Sequence, residues 1–271
     1  MLPLLLEEAL IQAKKTYELP ALVWTDGTVT HDDIANFERE ALEGKQFDPN
    51  GLKEAVWNQY KSGQMNILCR ECQLARVVAI LPKTSKGIPE DWGRIFQGFG
   101  AARGGKWNVY WFGANMARLF PHGGAPLAAE HLNGGYTTIC SNKGIFIYRI
   151  EEATRVLIHE LLHAACLDPH DKSIPVREAT IETWAEVLLV AYRSKGNPDR
   201  AKALWKLQCQ WVADTNNRAA NEHSVRSHED YGWRYMNGRA HVYQELGLAL
   251  PAAAKKSMPT SSRFTHPRLG D

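Results

Sequence analysis

Apolar residues follow two patterns along the chain: a spacing of three to four positions, and short continuous runs. The first pattern predicts amphipathic helices, and the second, where Gly or Pro bounds the run, predicts buried strands. A hairpin is expected around Asp26-Gly27, because Asp-Gly pairs favour two-residue turns. Helices are predicted over residues 1–19, 31–43, 52–61 and 115–120, and strands over 77–81, 107–112 and 144–149.

Longer helical patterns fill the second half of the chain, over residues 151–167, 177–192 and 201–216. The polar segment from Pro251 onwards has no periodicity, which indicates an arm that orders only against a partner. We therefore expect an N-terminal extension over residues 1–50, a first lobe over 51–168, a helical lobe over 169–250 and a tail over 251–271.

The first of these longer helices contains His159, Glu160 and His163 in an HExxH arrangement. Residues four apart on an α-helix share one face, so both imidazoles can bind a single zinc ion. Glu160 lies beside the first histidine, where its carboxylate can accept a proton from a water whose pKa the metal lowers. The motif therefore predicts metal-assisted hydrolysis, in the first instance of a peptide bond. The alternative is a pair of core histidines that are satisfied by hydrogen bonds.

A catalytic zinc site needs a third protein ligand. His170 follows the helix directly, but Pro169 stands where a metzincin would have its third histidine. The next helix carries three acids on one face, beside an apolar stripe, and these would repel each other without a cation. These candidate acids are Glu178, Glu182 and Glu186.

HELLH, followed by eighteen residues and then Glu182, resembles the gluzincin metallopeptidases. The resemblance implies a zincin-like α+β fold, in which a small mixed sheet carries the HExxH helix and a helical C-terminal lobe supplies the glutamate. It implies His159, His163 and Glu182 as zinc ligands, with Glu160 as general base. Glu186 would then orient a zinc-bound histidine from behind. A register shifted by one turn stays open, in which Glu178 is the ligand and Glu182 supports it.

Residues 107–190 also resemble the uncharacterised metallopeptidases encoded by large DNA viruses of algae and amoebae. The run EHLNGGYTTICSNKGIFIYRIEEATRVLIHELLHAACLD carries this resemblance, through an Asn-Gly strand and a Tyr-Arg segment that lead into the metal helix. It implies a viral or virion protein, with other virion proteins as expected partners.

In zincin folds an extended substrate pairs with a strand that runs along the cleft above the metal helix. The candidates for that strand are Asn133, Gly134, Gly135 and Tyr136, because glycines let a second backbone approach closely. The alternative for this stretch is a bulge or a tight turn. Gluzincins also need a donor that stabilises the oxyanion of the tetrahedral intermediate. Tyr231 and His241 are the candidates, and ordinary packing or surface exposure is the alternative for each.

The composition limits the partners and the compartment. Lysine and arginine number 32 against 30 acidic residues, so no global field favours nucleic acid or an anionic membrane. No apolar stretch approaches the ~20 residues of a membrane span. The five cysteines are an odd and scattered set, and Cys69 and Cys72 form a lone CxxC that favours two ordinary thiols. We expect a reducing, intracellular setting, in a virion or the host cytoplasm.

The sequence therefore predicts a zinc metallopeptidase that acts on a peptide or protein substrate, with Zn2+ as its cofactor. Two alternatives stay open. The first is a non-catalytic virion-structural or binding protein that retains the zinc site for stability. The second is an amidase that acts on a non-peptide bond through the same residues.

Overall fold

The computed structural model of the protein describes residues 2–254 and 259–270, and within these ranges the chain is an α+β structure. It has one mixed sheet of six strands, together with α-helices. The expected α+β class is therefore confirmed. The helices are α1 Leu4–Glu18, α2 His31–Glu43, α3 Leu52–Lys61, α4 Asp91–Phe99, α5 Ala129–Leu132, α6 Ala153–Ala164, α7 Ile174–Arg193, α8 Pro198–Glu222 and α9 Asn237–Glu245. The strands are β1 Thr25–Asp26, β2 Met65–Glu71, β3 Ala75–Pro82, β4 Trp107–Phe112, β5 Gly135–Thr137 and β6 Ile145–Ile147.

The strand order in the sheet is β1-β2-β3-β4-β6-β5. The central strands β3, β4 and β6 are parallel, and the pairs toward both edges are antiparallel. The parallel strands are rich in β-branched and aromatic residues and almost fully buried, as strands covered on both faces require. Strand β1 differs from the expected hairpin, because Thr25 pairs with Glu71 of β2 and not with a local partner.

Residues 19–116 and 133–167 form one compact unit, here called the sheet unit. Helices α2 and α3 pack on one face of the sheet around Phe37, Trp57 and Phe112. Helix α6 contacts β5 and β6, and Trp92 of α4 donates a hydrogen bond of 2.9 Å to Thr154 of α6. Tyr136 of β5 packs with the cluster of α2 and α3, whereas a Cβ atom on the neighbouring Gly135 would meet Val156 of α6. Because neighbouring residues of a strand point to opposite faces, helices cover the sheet from both sides.

Residues 2–18, 117–132 and 168–270, apart from the undescribed 255–258, form a second compact unit, here called the helical unit. Helix α1 buries Leu6 and Leu10 and contacts α7, which also contacts α8 and α9. The predicted extension over residues 1–50 is thus divided, since α1 belongs to the helical unit whereas β1 and α2 belong to the sheet unit. Long-range apolar contacts, which a local pattern does not reveal, decide this division.

The end of the chain differs from the arm that its composition predicts. Phe264 and Leu269 are 2% and 1% exposed, and Gln208 donates a hydrogen bond of 2.9 Å to the Phe264 carbonyl. The predicted helix over residues 115–120 is also not formed, because the Phe120 amide donates to Thr260 of the tail. Residues 255–258 and Asp271 of the predicted tail lie outside the described residues.

No helix within residues 2–254 and 259–270 combines the length and the apolar character needed to cross a bilayer.

Candidate metal centre

Helix α6 holds the HExxH motif in a buried position, because all twelve of its residues are buried. Helix α6 packs against β5 and β6, and each of its two histidines is only 6% exposed. Polar groups in such a setting need partners or a metal ion. The sequence folds this way locally because its residues are mostly good helix formers, with apolar positions on more than one face.

The imidazoles of His159 and His163 converge. Their Nε2 atoms lie 3.0 Å apart, with the rings at 72° to each other. Two nitrogens bound to one tetrahedral zinc at the usual bond length lie about 3.3 Å apart, so the observed spacing fits a shared ion. Burial, with help from the charges of His163 and Arg155, holds the pKa of His159 well below 6.5. The neutral imidazole that results is the form that binds metals.

The acids expected to supply the third ligand lie on α7, in the helical unit. Two imidazole nitrogens and one carboxylate oxygen are a donor set that zinc takes in catalytic sites. Within the helical unit, Glu178 is half-buried. Glu182 is 1% exposed and lies one turn further along α7.

Glu186 has partners of its own within the helical unit. Its carboxylate forms an ion pair with Arg239 and accepts a hydrogen bond of 2.6 Å from the Tyr243 hydroxyl. Glu186 and Arg239 are both fully buried. Burial, followed by the charge of Glu186, holds the pKa of Tyr243 well above 10, so the phenol stays a donor. These contacts join α7 to α9 and differ from the role behind a zinc ligand that the resemblance implies.

Glu160 lies against the edge of the sheet. A Cβ atom placed on Gly135 of β5 would lie 3.3 Å from Glu160 Oε1 and 2.5 Å from Val156 Cγ1. Only glycine therefore lets β5 pass this close to α6. Among the described strands β5 is last in the sheet order, so its outer side is the open edge beside the Glu160 carboxylate.

The backbone groups around β5 either pair with β6 or face outward from the sheet. The Gly134 carbonyl accepts from the Tyr148 amide at 2.9 Å, and Tyr136 pairs with Phe146 in the ladder. Successive residues of a strand in an antiparallel pair alternate between backbone groups that bond to the partner strand and groups that point away from it. Gly134 and Tyr136 are at bonding positions, so Gly135 and Thr137 point their N–H and C=O groups outward. The predicted stretch 133–136 thus becomes an edge strand that begins at Gly135.

Contacts of Asn133 and Tyr136 with other segments of the sheet unit hold β5 in position. Asn133 donates to the Phe47 carbonyl at 3.2 Å, and its own carbonyl accepts from Arg149 at 2.8 Å. The Tyr136 hydroxyl contacts the buried Lys53 at 2.9 Å, while the Tyr136 ring stacks on Phe47. These contacts fix the position of β5 from the face opposite α6.

The two candidate oxyanion donors differ in their surroundings. The His241 side chain is 59% exposed and lies 3.6 Å from Glu245, one turn along α9, as an ordinary surface pair does. Tyr231 is half-buried and its ring centroid lies 5.5 Å from that of Tyr235. Burial, followed by Tyr231 and Glu178, raises the pKa of Tyr235 well above 10. The two tyrosines therefore share the surroundings of Glu178, and Tyr235 is a donor that the sequence reasoning did not select.

The carboxyl end of α6 carries a feature that the sequence did not reveal. Cys140 and Cys166, which are 26 residues apart, form a disulfide, whereas Cys69, Cys72 and Cys209 are free and buried. The scattered positions gave no signal for this pair, because only the return of the chain after β5 brings Cys140 to the helix end.

Comparisons of the chain with protein-family models, with curated proteins and with solved structures give no match.

Proposed function

We propose that the protein is a zinc-dependent hydrolase with a zincin-like fold of the gluzincin type, and that it cleaves peptide bonds. The observation that carries the proposal is the buried pair His159 and His163, whose Nε2 atoms lie 3.0 Å apart. Glu160 on the same helix lies against the edge strand β5. A peptide that pairs with β5 would therefore bring its backbone next to a carboxylate and a pair of metal ligands.

Zinc would be held by His159, His163 and one acid of α7. That acid is Glu182 in the register that the gluzincin resemblance implies, or Glu178 in the register shifted by one turn. A site with three protein ligands leaves a position open for water or substrate. Bound there, zinc would supply a Lewis acid for the scissile carbonyl and lower the pKa of a water molecule to about 7.

The side chains of the chain perform the remaining steps. Glu160 takes the proton of the attacking water and passes it to the leaving amine, as a carboxylate beside an HExxH site does. The outward N–H and C=O groups of Gly135 and Thr137 pair with an extended substrate and fix its register. Tyr231 and Tyr235 are the proposed hydrogen-bond donors to the oxyanion.

The test begins with protein purified without added zinc, followed by metal analysis and hydrolysis of a broad peptide library. Wild type is expected to hold one equivalent of zinc and to cleave peptides. Glu160→Gln is expected to keep zinc and folding but to lose activity by about 10²-fold or more, the contribution of a general base. Of Glu182→Gln and Glu178→Gln, the variant that removes the ligand is expected to lose zinc and the other to retain more of it.

Two outcomes would contradict the proposal. Wild type that binds no zinc would leave the histidine pair as a buried hydrogen bond. Wild type that binds zinc through His159 and His163 but cleaves no peptide in the library would instead be a non-catalytic metal-bearing protein. Loss of zinc in Glu182→Gln and not in Glu178→Gln would identify Glu182 as the ligand, and the converse result would identify Glu178.

A further inference from the structure

The Cys140–Cys166 disulfide lies directly beside one of the candidate metal ligands. Cys166 is two residues past the end of α6, and Cys140 is in the segment that follows β5. The backbone amides of Cys140 and Cys166 both donate to the His163 carbonyl, at 3.0 and 3.1 Å. The two cysteines therefore hold the backbone of His163 through two hydrogen bonds, and the disulfide joins the two donors to each other.

Both cysteines adopt a backbone conformation that non-glycine residues avoid. Their φ angles are +59° for Cys140 and +63° for Cys166, in the left-handed region. This conformation persists in a non-glycine residue where the surroundings impose it. The disulfide and the two hydrogen bonds to His163 constrain the backbone at this position, so breaking the covalent bond is expected to relax the backbone there.

Cys140 and Cys166 are also the more exposed of the five cysteine residues. Cys140 is exposed and Cys166 is half-buried, while the other three cysteines are buried free thiols. Thiol–disulfide exchange depends on access to the sulfur that is attacked. Disulfides of proteins in reducing compartments are usually transient, catalytic or redox-sensing, and the cysteine usage of this chain predicts such a compartment.

We propose that Cys140–Cys166 is a thiol–disulfide exchange site whose redox state sets how firmly His163 is held for metal binding. The reacting partner is a dithiol reductant. One of its thiolates attacks Cys140 Sγ, the Cys140–Cys166 bond breaks, and Cys166 leaves as a thiolate that takes a proton. The second reductant thiol then displaces Cys140, so two protein thiols and one reductant disulfide result. A disulfide oxidant reverses the reaction.

The part of this inference that concerns metal rests on the proposed zinc site, so the test has two independent readouts. The first is mass spectrometry after alkylation, together with amide hydrogen exchange, on protein without zinc. In the oxidised protein Cys140 and Cys166 are expected to resist alkylation. After treatment with a dithiol both are expected to be alkylated, and their amides to exchange faster by at least tenfold.

The second readout is zinc affinity, measured by competition with a chromophoric chelator in the absence of any thiol. The double variant Cys140→Ser/Cys166→Ser is expected to bind zinc about tenfold or more weakly than oxidised wild type, the usual effect of losing support behind a metal ligand. Cys72→Ser, which removes a buried free thiol of the same unit, is the matched control and is expected to keep the wild-type affinity.

The outcomes separate the two proposals. Faster amide exchange on reduction in a protein that binds no zinc would support the exchange site and refute the proposed function. Cysteines 140 and 166 that are alkylated without reductant, even after incubation with oxidised glutathione, would overturn the inference. So would zinc affinity and amide exchange that are the same in the oxidised and the reduced protein. Reduced wild type serves in place of the double serine variant if that variant does not fold.

Discussion

The buried pair of Glu186 and Arg239 gives the sharpest test of how α7 is held in the helical unit. Both side chains are fully buried, and Arg239 also donates a hydrogen bond of 3.0 Å to the Phe264 carbonyl. Glu186→Gln removes the negative charge and keeps the shape of the side chain. The guanidinium would then remain buried without its counter-charge, which is strongly unfavourable.

The magnitude follows from the two partners of the carboxylate. Removing one member of a buried ion pair costs about 3–5 kcal/mol of unfolding free energy. The glutamine can still accept from the Tyr243 hydroxyl, which lies 2.6 Å from the carboxylate. We therefore expect a loss near the lower limit, about 3 kcal/mol, which is a large share of the roughly 5–15 kcal/mol that stabilises a typical domain.

The assay is urea unfolding of zinc-free protein, followed by far-ultraviolet circular dichroism. Glu178→Gln on the same helix is the matched control, because this half-buried acid lies outside the ion pair, and it should unfold within about 1 kcal/mol of wild type. Glu186→Leu combined with Arg239→Met should be more stable than either single variant, since no buried charge is left alone. A free energy for Glu186→Gln within about 1 kcal/mol of wild type would refute this reasoning.

Two further predictions concern the sheet unit. Gly135→Ala should destabilise the protein by about 1–3 kcal/mol, because its Cβ would lie 2.7 Å from the Phe146 carbonyl oxygen. Urea unfolding measures this, and an unchanged midpoint would show that β5 can move away from α6. Burial raises the pKa of Asp33, but hydrogen bonds from Arg76 and Thr30 outweigh it and lower the pKa from 3.8 to about 2. The folded pKa is the lower one, so this stabilisation of about 2 kcal/mol is present above pH 4 and is lost as the pH falls toward 2. In an acid titration Asp33→Asn should lack this pH-dependent loss, and an identical profile for variant and wild type would count against the assignment.

Local patterns predicted much of the secondary structure. The predicted helix over residues 52–61 and the predicted strand over 107–112 coincide with α3 and β4, because each is a strongly patterned segment bounded by turn residues. The helix expected over residues 115–120 was wrong. Its backbone groups bond to residues 260–262 of the tail, and no sequence window contains both partners.

The candidate site also has one part that the local sequence predicts and one part that it does not. His159 and His163 are four residues apart, so a helix places them on one face, where they can converge. The sequence predicts this because helical periodicity is a local property. The register of α7 is not local. Its acids repeat every four residues, so Glu178, Glu182 and Glu186 look equivalent in sequence. Arg239 and Tyr243, more than fifty residues further on, distinguish Glu186 from the other two by pairing with its carboxylate.

The sequence by itself thus determined much of the secondary structure and the HExxH pair, since both depend on neighbours within one or two turns of the chain. Tertiary structure alone decided the partner of Glu186, the edge position of β5 and the pairing of Cys140 with Cys166. Each of these depends on contacts between segments that are distant in sequence, and hydrophobic burial and chain topology determine which segments meet.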